Sequence, residues 1–399
     1  MGGGLLQLVA YGAQDAYLSG NPQITFWRGL FKRHTNFAME PFRVNLTGQA
    51  AWGTKHSAVL GRHADLLSSA YIEVEMGEGG NLIYAGPNAL SAMNLIEYVE
   101  LDIGGQVIDR QYGEFMYIWS RLSLPYDNRV ALDNMSNVNT SSNTPCTTNG
   151  RPTRNNIAFI PLMFFFCRNP GAALPLIALQ YHEVKINILW NKANLIFSSG
   201  ASAGPAQANL LIDYVYLDVE ERRRMAQESH EYLIEQTQFN EDKGLTSAQN
   251  RVDLTFNHPV KELIWVTQVN HRRNCRITGG ANPLAYNAII YNCALQLNGQ
   301  DRVPSLPGSY YQNTQVFQHH RGSPVGGVYM YSFAIKPEEH QPSGTCNFSR
   351  IDTATLVFSV DGVVPISNSD DQNYDIRVYA INYNILRVMS GMGGLAYSN

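Results

Sequence analysis

The sequence predicts an all-β protein built from packed sandwiches rather than from strands that alternate with helices. Short alternating runs are punctuated by 33 glycines, 18 prolines and many Asn and Ser turns, which is typical of antiparallel sheets. The clearest stretch, YSFAIKPEEHQPSGTCNFSRID from Tyr331 to Asp352, predicts a strand, a stop, a polar turn and a second strand. Tyr331, Phe333 and Ile335 share one face, and Pro337 lacks the amide that the next ladder bond needs. The first strand is therefore predicted to run to Pro337.

Further strands follow from the same alternation along the chain. In the first half they are predicted at Asp65 to Met76, Asn94 to Gly104, Leu176 to Trp190 and Leu210 to Glu220. In the second half they are predicted at Val260 to Val269, Ala288 to Asn298, Gly327 to Lys336, Ile351 to Val360 and Tyr374 to Met389.

One segment has helical rather than strand periodicity. In Gln111 to Ser123 the apolar residues recur at intervals of three and four, which predicts an amphipathic helix packed on the sheets, with Trp119 in a large core site. The polar stretches Tyr126 to Asn156 and Leu306 to Gly326 are predicted as long loops.

Composition excludes several classes of function. The 399 residues allow two to three domains, or two large β domains. The net charge is −4 and 16% of residues are charged, so a surface that tracks nucleic-acid phosphates is not expected. The longest apolar run, Ile157 to Cys167, is about half of a bilayer crossing. The N-terminus lacks a signal-peptide pattern, and five cysteines without a CxxC pair indicate free thiols in a reducing compartment.

The two halves carry traces of an internal repeat. Leu101 to Arg110 (LDIGGQVIDR) and Leu295 to Arg302 (LQLNGQDR) both predict a strand that ends in a Gly-Gln turn and an Asp-Arg pair. Tyr214 to Met225 and Val378 to Met389 both predict a long strand that closes in Arg-x-Met. Together with the paired long loops, these echoes favour two similar β domains.

One short segment carries a set of possible metal ligands. Glu338, Glu339, His340 and Cys346 lie within nine residues and carry zinc-binding groups. Adjacent residues of an extended chain point in opposite directions, and no CxxC or HxxxH spacing completes a ligand set. A solvated structural turn is therefore the preferred interpretation.

Other polar groups are also interpreted as structural. His182 and Glu183 are predicted to lie in mid-strand and to face opposite sides of a sheet, so they do not form an acid/base pair. His319 and His320 lie in a predicted loop, where a pH-sensitive contact is conceivable but exposure without function is preferred. Arg222 to Arg224 follow two glutamates and suggest an interdomain or intersubunit ion pair. We expect no catalytic, cofactor-binding or metal site.

Beyond these patterns, several blocks resemble one protein family, the major capsid proteins of the nucleocytoplasmic large DNA viruses. Tyr331 to Asp352 is similar to its second-domain signature, and the other blocks occur in the family's order and cover nearly the whole chain. They are Ala10 to Glu40, Leu101 to Trp119, Ile160 to Ile186 and Ile385 to Asn399.

The resemblance implies a double jelly roll, that is, two tandem eight-stranded antiparallel sandwiches with a few short helices in the loops. It places an N-terminal arm at 1–20, the first jelly roll at 21–221, a linker at 222–235 and the second jelly roll at 236–399.

The resemblance also implies a structural, non-catalytic function in the virion, after synthesis and assembly in the host cytoplasm. Three chains would form a pseudo-hexagonal capsomer that meets neighbouring capsomers, minor capsid proteins and penton proteins. The arm would lie near an internal viral membrane, and the long loops would form an outer tower. A minor or penton-type jelly-roll protein is the first alternative. A sugar-binding or sugar-active sandwich, with Tyr310 and Tyr311 as stacking platforms, is a remote one.

Overall fold

The computed structural model describes residues 2–27, 29, 31–75, 92–136, 157–192, 205, 207–245, 247–269, 286, 288–322, 326–360 and 374–397. The strands of the first half are β1 Phe37–Asn45, β2 Lys55–Val59, β3 Leu66–Glu75, β4 Ile96–Ile103, β5 Gln106–Tyr112, β6 Ile157–Pro161, β7 Leu174–Pro175, β8 Val184–Trp190 and β9 Gln207–Leu217. Those of the second half are β10 His230–Leu245, β11 Gln249–Asp253, β12 Pro259–Val269, β13 Ile290–Leu297, β14 Gln300–Pro307, β15 Val328–Ser332, β16 Cys346–Asn347, β17 Ala354–Val360, β18 Tyr374–Met389 and β19 Met392–Leu395.

Helices lie between the strands. The α-helices are α1 Gly3–Val9, α2 Ala16–Ser19, α3 Gly113–Ser123, α4 Tyr126–Met135, α5 Phe165–Arg168, α6 Val219–Gln227 and α7 Gln315–His319. Single turns of 3-10 helix occur at Ala13–Asp15, Ala92–Leu95, Pro170–Ala172 and Phe348–Arg350, and a π-helical turn occurs at Tyr310–Thr314.

The chain separates into two compact units, Met1–Phe37 and Ala38–Asn399. The first unit contains α1, α2 and one 3-10 turn, and none of the residues in these elements is buried. No helix among the described residues is long and apolar enough to cross a bilayer.

The first jelly roll consists of two four-stranded layers. Sheet I has the strand order β1-β9-β3-β6, with β7 beside β3, and sheet II has the order β2-β8-β4-β5. The described pairings are antiparallel. The last strand of the domain, β9, thus pairs with β1 and β3, both of which are far from it in sequence, as a jelly-roll connection requires.

The second jelly roll repeats this arrangement. Sheet III has the order β10-β18-β12-β15, with β16 beside β12 and β19 beside β18, and sheet IV has the order β11-β17-β13-β14. The last long strand, β18, again lies second in its sheet. The predicted fold class, two tandem antiparallel jelly rolls with short helices in the loops, is therefore confirmed.

Strands β12, β15 and most of β18 in sheet III are buried on both faces. Along β12, Leu263 and Trp265 belong to the core inside the second jelly roll, whereas Ile264 and Val266 belong to the core that continues into the first. On β18, all positions from 374 to 384 are buried. Neighbouring residues of a strand point to opposite faces. One face of sheet III therefore packs inside the second jelly roll, and the other face packs against the first.

The sequence repeat corresponds to equivalent hairpins. The β4–β5 turn uses Gly104 and Gly105, and the β13–β14 turn uses Asn298 and Gly299, all four with positive φ. Such two-residue turns match the twist of a hairpin. In the second echo the strand portions are the equivalent strands β9 and β18, but Arg223 and Met225 lie in α6 rather than in a strand. That part of the match is therefore wrong.

The strand that begins the segment from Tyr331 to Asp352 ends earlier than predicted. It ends at Ser332, where the hydroxyl contacts the oxygen and the nitrogen of Ala334, at 2.8 and 3.2 Å. Phe333 and Ala334 then both donate to Lys261 O, which bends the chain. The bend leaves Ile335 72% exposed, and Phe348–Arg350 forms a 3-10 turn instead of resuming the strand.

Other predicted boundaries also needed correction. The predicted strand from Leu176 to Trp190 is a strand only from Val184, because consecutive turns from Pro175 to Leu179 bury the apolar residues without a ladder. The first long loop contains α4 up to residue 135, and its continuation at 137–156 lies outside the described residues. The second contains the π-turn and α7, while 323–325 lie outside the described residues.

The helix prediction is confirmed. It begins at Gly113, where a Cβ atom would lie 2.2 Å from the carbonyl oxygens of Met93 and Ile96. Only glycine allows the backbone this close approach to the end of sheet II. The remaining strand predictions agree with β3, β4, β9, β12, β13, β17 and β18 to within a few residues at each end.

Candidate functional site: a charged seam between the jelly rolls

The surface where the two jelly rolls meet, here called the seam, contains many of the buried polar and charged side chains of the described residues. Its apolar floor includes Phe115 of α3 against Tyr379 of β18, with ring centroids 5.4 Å apart, and Tyr112 of β5 against Phe239 of β10, at 4.6 Å. Three groups of charged and amide side chains make hydrogen bonds and ion pairs across this apolar contact.

The first group joins α3 to β18. Arg377 is 1% exposed and donates through Nε and Nη2 to the two carboxylate oxygens of Glu114, both at 2.7 Å. Tyr379 donates to Glu114 Oε2 at 2.6 Å, and Arg377 also donates to Gln268 Oε1 at 2.8 Å. Burial alone would lower the pKa of Arg377, but the facing Glu114 carboxylate raises it above its ordinary value. Glu114 lies in the first turn of α3, where the helix dipole favours an anion.

The second group joins β5 to β10. Asp109 Oδ1 accepts a hydrogen bond from the Thr237 amide at 3.0 Å, and Asp109 Oδ2 accepts one from Gln111 Nε2 at 3.0 Å. Gln236 donates from β10 to the carbonyl oxygen of Ile108. Burial raises the pKa of Asp109 to about 6, although both hydrogen bonds oppose the shift.

The third group surrounds Trp119. The carboxylate of Glu235 in β10 accepts hydrogen bonds from Lys261 Nζ and Arg168 Nη1, both at 2.7 Å. Lys261 also donates to Pro337 O at 2.7 Å. The Arg168 guanidinium lies 5.0 Å from the ring centroid of Trp119, and Lys261 Nζ lies 5.6 Å from it. Burial raises the pKa of Glu235, but the two cations outweigh it and lower that pKa overall.

His320 completes this third group. Its side chain is fully buried, with Nε2 3.1 Å from Glu262 Oε2 and Nδ1 2.9 Å from Glu338 Oε1. The ring stands edge-on to Trp119 at a centroid distance of 5.7 Å. Burial lowers the pKa of His320, but Glu262 and Glu338 raise it to about 9. The prediction that His320 is exposed is therefore wrong, because α7 carries it into the seam.

The two jelly rolls also make hydrogen-bonding contacts at both ends of the seam. Gly322 donates to Leu122 O at 2.6 Å, at the C-terminal end of α3, and a Cβ atom on Gly322 would lie 2.2 Å from Arg121 O. At the other end His182 Nδ1 lies 2.9 Å from the oxygen of Gly393. His182 thus contacts the second jelly roll, although it precedes β8 and does not lie in mid-strand as predicted.

The candidate metal ligands are not brought together. Glu338 contacts His320, Glu339 pairs with Lys336 at 2.9 Å, and Cys346 lies in β16. Among the residues the structure describes, no group of three or more His, Cys, Asp or Glu side chains is placed to hold a metal ion. Cys167, Cys293 and Cys346 are free thiols, while Cys146 and Cys275 lie outside the described residues.

The remaining predicted groups have other positions. Arg222 pairs with the buried Asp65 at 3.0 Å, and Arg224 pairs with Glu228. Glu183 pairs with Lys185. Tyr311 is fully buried and donates to Cys293 O at 2.9 Å, so it cannot be a sugar-stacking platform.

The sequence patterns did not identify most of the charged residues that form the seam. Lys261 and Glu262 interrupt the apolar run of β12, and Arg377 interrupts that of β18. A charge inside a strand that is buried on both faces must have a partner, and this signal could have identified them. Their partners Glu114, Glu235 and Arg168 lie on three other elements and carry no such signal.

The N-terminal unit is a second candidate surface. Every described residue from 2 to 37 is exposed except Asp15, which is half-buried. Large apolar side chains among them include Leu8, Phe26, Trp27 and Phe31, at 79%, 106%, 85% and 94% exposure.

Two jelly rolls joined by a buried, ion-paired seam define a protein of the double jelly-roll class. Comparisons agree. Residues 25–218 match the family model for the major capsid protein N-terminus, and residues 221–394 match that for the large eukaryotic DNA virus major capsid protein. The major capsid protein of Pyramimonas orientalis virus is 45% identical over a 423-residue alignment that covers all of both chains.

Solved structures give the same assignment. The fold matches VP54 of Paramecium bursaria Chlorella virus 1 with a TM-score of 0.80 and 34% identity, covering 94% of this chain and 100% of that one. A chain in a quasi-atomic model of that virus's capsid matches with a TM-score of 0.78 and 35% identity over the same shares. The Faustovirus major capsid protein, at 11% identity and a TM-score of 0.73, shares the fold. This chain belongs to the family of large eukaryotic DNA virus major capsid proteins, which are structural proteins of the virion capsid.

Proposed function

We propose that three copies of this chain form a pseudo-hexagonal capsomer and that these capsomers tile an icosahedral shell, without catalysis. The observation that carries the proposal is the double burial of sheet III, which holds the two jelly rolls as one block. Three such blocks supply the six lobes of a pseudo-hexagon. Support for a non-catalytic function comes from the seam, where the charged side chains described above are engaged with one another in the interior.

We further propose a domain division at 1–20, 21–221, 222–235 and 236–399. The grouping of β1 to β9 in one sandwich and of β10 to β19 in the other supports it. The proposed linker comprises the end of α6 and the start of β10.

The trimer is tested by sedimentation of the purified chain. A trimer has three times the 44.5 kDa chain mass, about 133 kDa. We expect one species of that mass, with three-fold particles of hexagonal outline in negative stain. A stable monomer would contradict the proposal, and a stable pentamer would favour the penton-type alternative.

The N-terminal arm, residues 1–20, is proposed to meet minor capsid proteins, penton proteins and neighbouring capsomers at the inner base, close to an internal membrane. Its exposed apolar side chains support this, because apolar surface of this extent marks an interaction site. Synthesis and assembly in the host cytoplasm are part of the same proposal.

Deletion of residues 2–20 tests the arm separately from the trimer. We expect the truncated chain to sediment as the same trimer and to retain its thermal midpoint, because none of the deleted helices contributes a buried residue. Assembly into shells or sheets should fall by at least about tenfold, which corresponds to a loss of about 1.4 kcal/mol of contact free energy. Unchanged assembly would contradict the arm's proposed contacts.

A further inference from the structure

The environment of His320 has a geometry that, with both neighbouring glutamates ionised, only the doubly protonated ring satisfies. Both ring nitrogens face carboxylate oxygens, Glu262 Oε2 at 3.1 Å and Glu338 Oε1 at 2.9 Å. A carboxylate accepts and cannot donate, so each nitrogen must carry a proton to make its hydrogen bond. The ring is therefore an imidazolium, and both contacts are charge-assisted.

Charge balance in the buried group leads to the same conclusion. Three anions meet three cations when the ring is protonated. The anions are Glu235 of β10, Glu262 of β12 and Glu338 of the turn after β15, and the cations are Lys261 of β12, Arg168 of α5 and His320 itself. At the rim, Arg321 Nε lies 3.5 Å from Glu338 with its side chain 70% exposed. Tyr383 and His340 also lie within electrostatic range of Glu235, and α3 contributes the uncharged Trp119.

Loss of the proton would not affect the two carboxylates equally. Among the described residues, Glu262 Oε2 has His320 as its donor and Glu262 Oε1 has no hydrogen-bond partner. Glu338 Oε1 also accepts from the Arg321 amide at 3.0 Å. A neutral ring has one N–H, and keeping it on Nε2 preserves the hydrogen bond that Glu262 Oε2 receives. The lone pair of Nδ1 would then face an anion at 2.9 Å.

We propose that His320 is a proton-dependent latch of the seam, and that its deprotonation releases Glu338 together with the turn from Pro337 to Ser343 and the segment around Arg321. Repulsion between Nδ1 and Glu338 drives the release. Glu338 can swing outward because it lies at the rim, whereas Glu262 is confined inside β12. The seam contacts made by Glu114, Arg377 and Asp109 involve other elements, so the two jelly rolls stay together. The latch does not depend on the oligomeric state.

Trypsin cleavage after Arg321 reports the release. The bond is held by the Arg321 contacts to Glu338 and by the Gly322 hydrogen bond to Leu122, while Lys336 precedes proline and is resistant. The intact protein is digested between pH 7.5 and pH 10, with a free peptide spanning 316–327 to correct for the enzyme's own pH profile. A group with a pKa of about 9 goes from about 3% to about 90% deprotonated over this range. The corrected rate should therefore rise about thirtyfold.

Three variants make the test specific. His319→Gln changes the neighbouring half-buried ring, whose Nδ1 lies 3.0 Å from Ile335 O, and should keep the wild-type rise because both carboxylate contacts of His320 remain. His320→Gln should be cleaved rapidly at every pH, with no rise. Glu338→Gln replaces the anion with an amide that can donate to neutral Nδ1, so cleavage should be slow throughout.

Several results of these digestions would overturn the latch. A flat wild-type profile, or a wild-type rise in either His320→Gln or Glu338→Gln, overturns the latch. A parallel rise at tryptic sites across the chain would show global opening and would also overturn it. If His320→Gln fails to fold, Glu338→Gln and His319→Gln still decide the matter.

Discussion

Glu114→Ala is expected to lower the free energy of unfolding by about 3–5 kcal/mol, because it leaves a buried guanidinium without its carboxylate. Arg377 is 1% exposed, and Glu114 accepts two of its hydrogen bonds and one from Tyr379. The pair joins α3 of the first jelly roll to β18 of the second, so the loss should weaken the seam. Urea denaturation of the purified protein, followed by tryptophan fluorescence, measures the change.

Two further variants distinguish the broken ion pair from other effects. Glu97→Ala removes an exposed carboxylate from β4 and should change the free energy of unfolding by less than about 0.5 kcal/mol. The double variant Glu114→Leu with Arg377→Met should recover most of the loss, because apolar pairs often replace buried ion pairs at little cost. A loss below about 1 kcal/mol in Glu114→Ala would mean that water reaches Arg377.

Trp119→Ala is expected to cost about 3–5 kcal/mol of unfolding free energy, because it empties a large site in the seam. The side chain is 7% exposed and packs on Phe115, with ring centroids 6.1 Å apart. It also lies beside two cations, Arg168 and Lys261. The variant therefore loses cation–π contacts in addition to apolar burial.

The same denaturation experiment tests this prediction. Trp119→Phe keeps an aromatic ring and should lose about half as much. Trp27→Ala, at a side chain 85% exposed in the N-terminal unit, should change the free energy by less than about 0.5 kcal/mol. If Trp119→Ala costs under about 1 kcal/mol, the indole does not support the seam.

The elements that the sequence predicted well are those whose residues carry a local signal. The helix from Gly113 to Ser123 has apolar residues at intervals of three and four, and the β4–β5 and β13–β14 hairpins have Gly-Gly and Asn-Gly turns. The strand end at Ser332 was missed because it depends on a side-chain hydroxyl and on Lys261 O in a neighbouring strand. The alternation of apolar and polar residues within the segment cannot reveal either contact.

The seam could be predicted only in part for the same reason. Trp119 was expected in a core site, and it lies there. The burial of His320 could not be foreseen, because its partners Glu262 and Glu338 are 58 and 18 residues away in sequence. The family resemblance supplied the double jelly roll, but the pairing of individual charges needs the tertiary arrangement.

The position of β18 has a consequence for the order of events during synthesis. In sheet III, β18 lies between β10 and β12 and hydrogen-bonds to both, yet it is the last of these three strands to be synthesised. Until Tyr374 to Met389 has emerged, β10 and β12 cannot take their final places, whereas the strands of the first jelly roll are already available. A nascent chain thus holds all the strands of the first sandwich beside an incomplete and strongly apolar sheet III, and the emergence of Tyr374 to Met389 converts this vulnerable state into one that can complete the sheet.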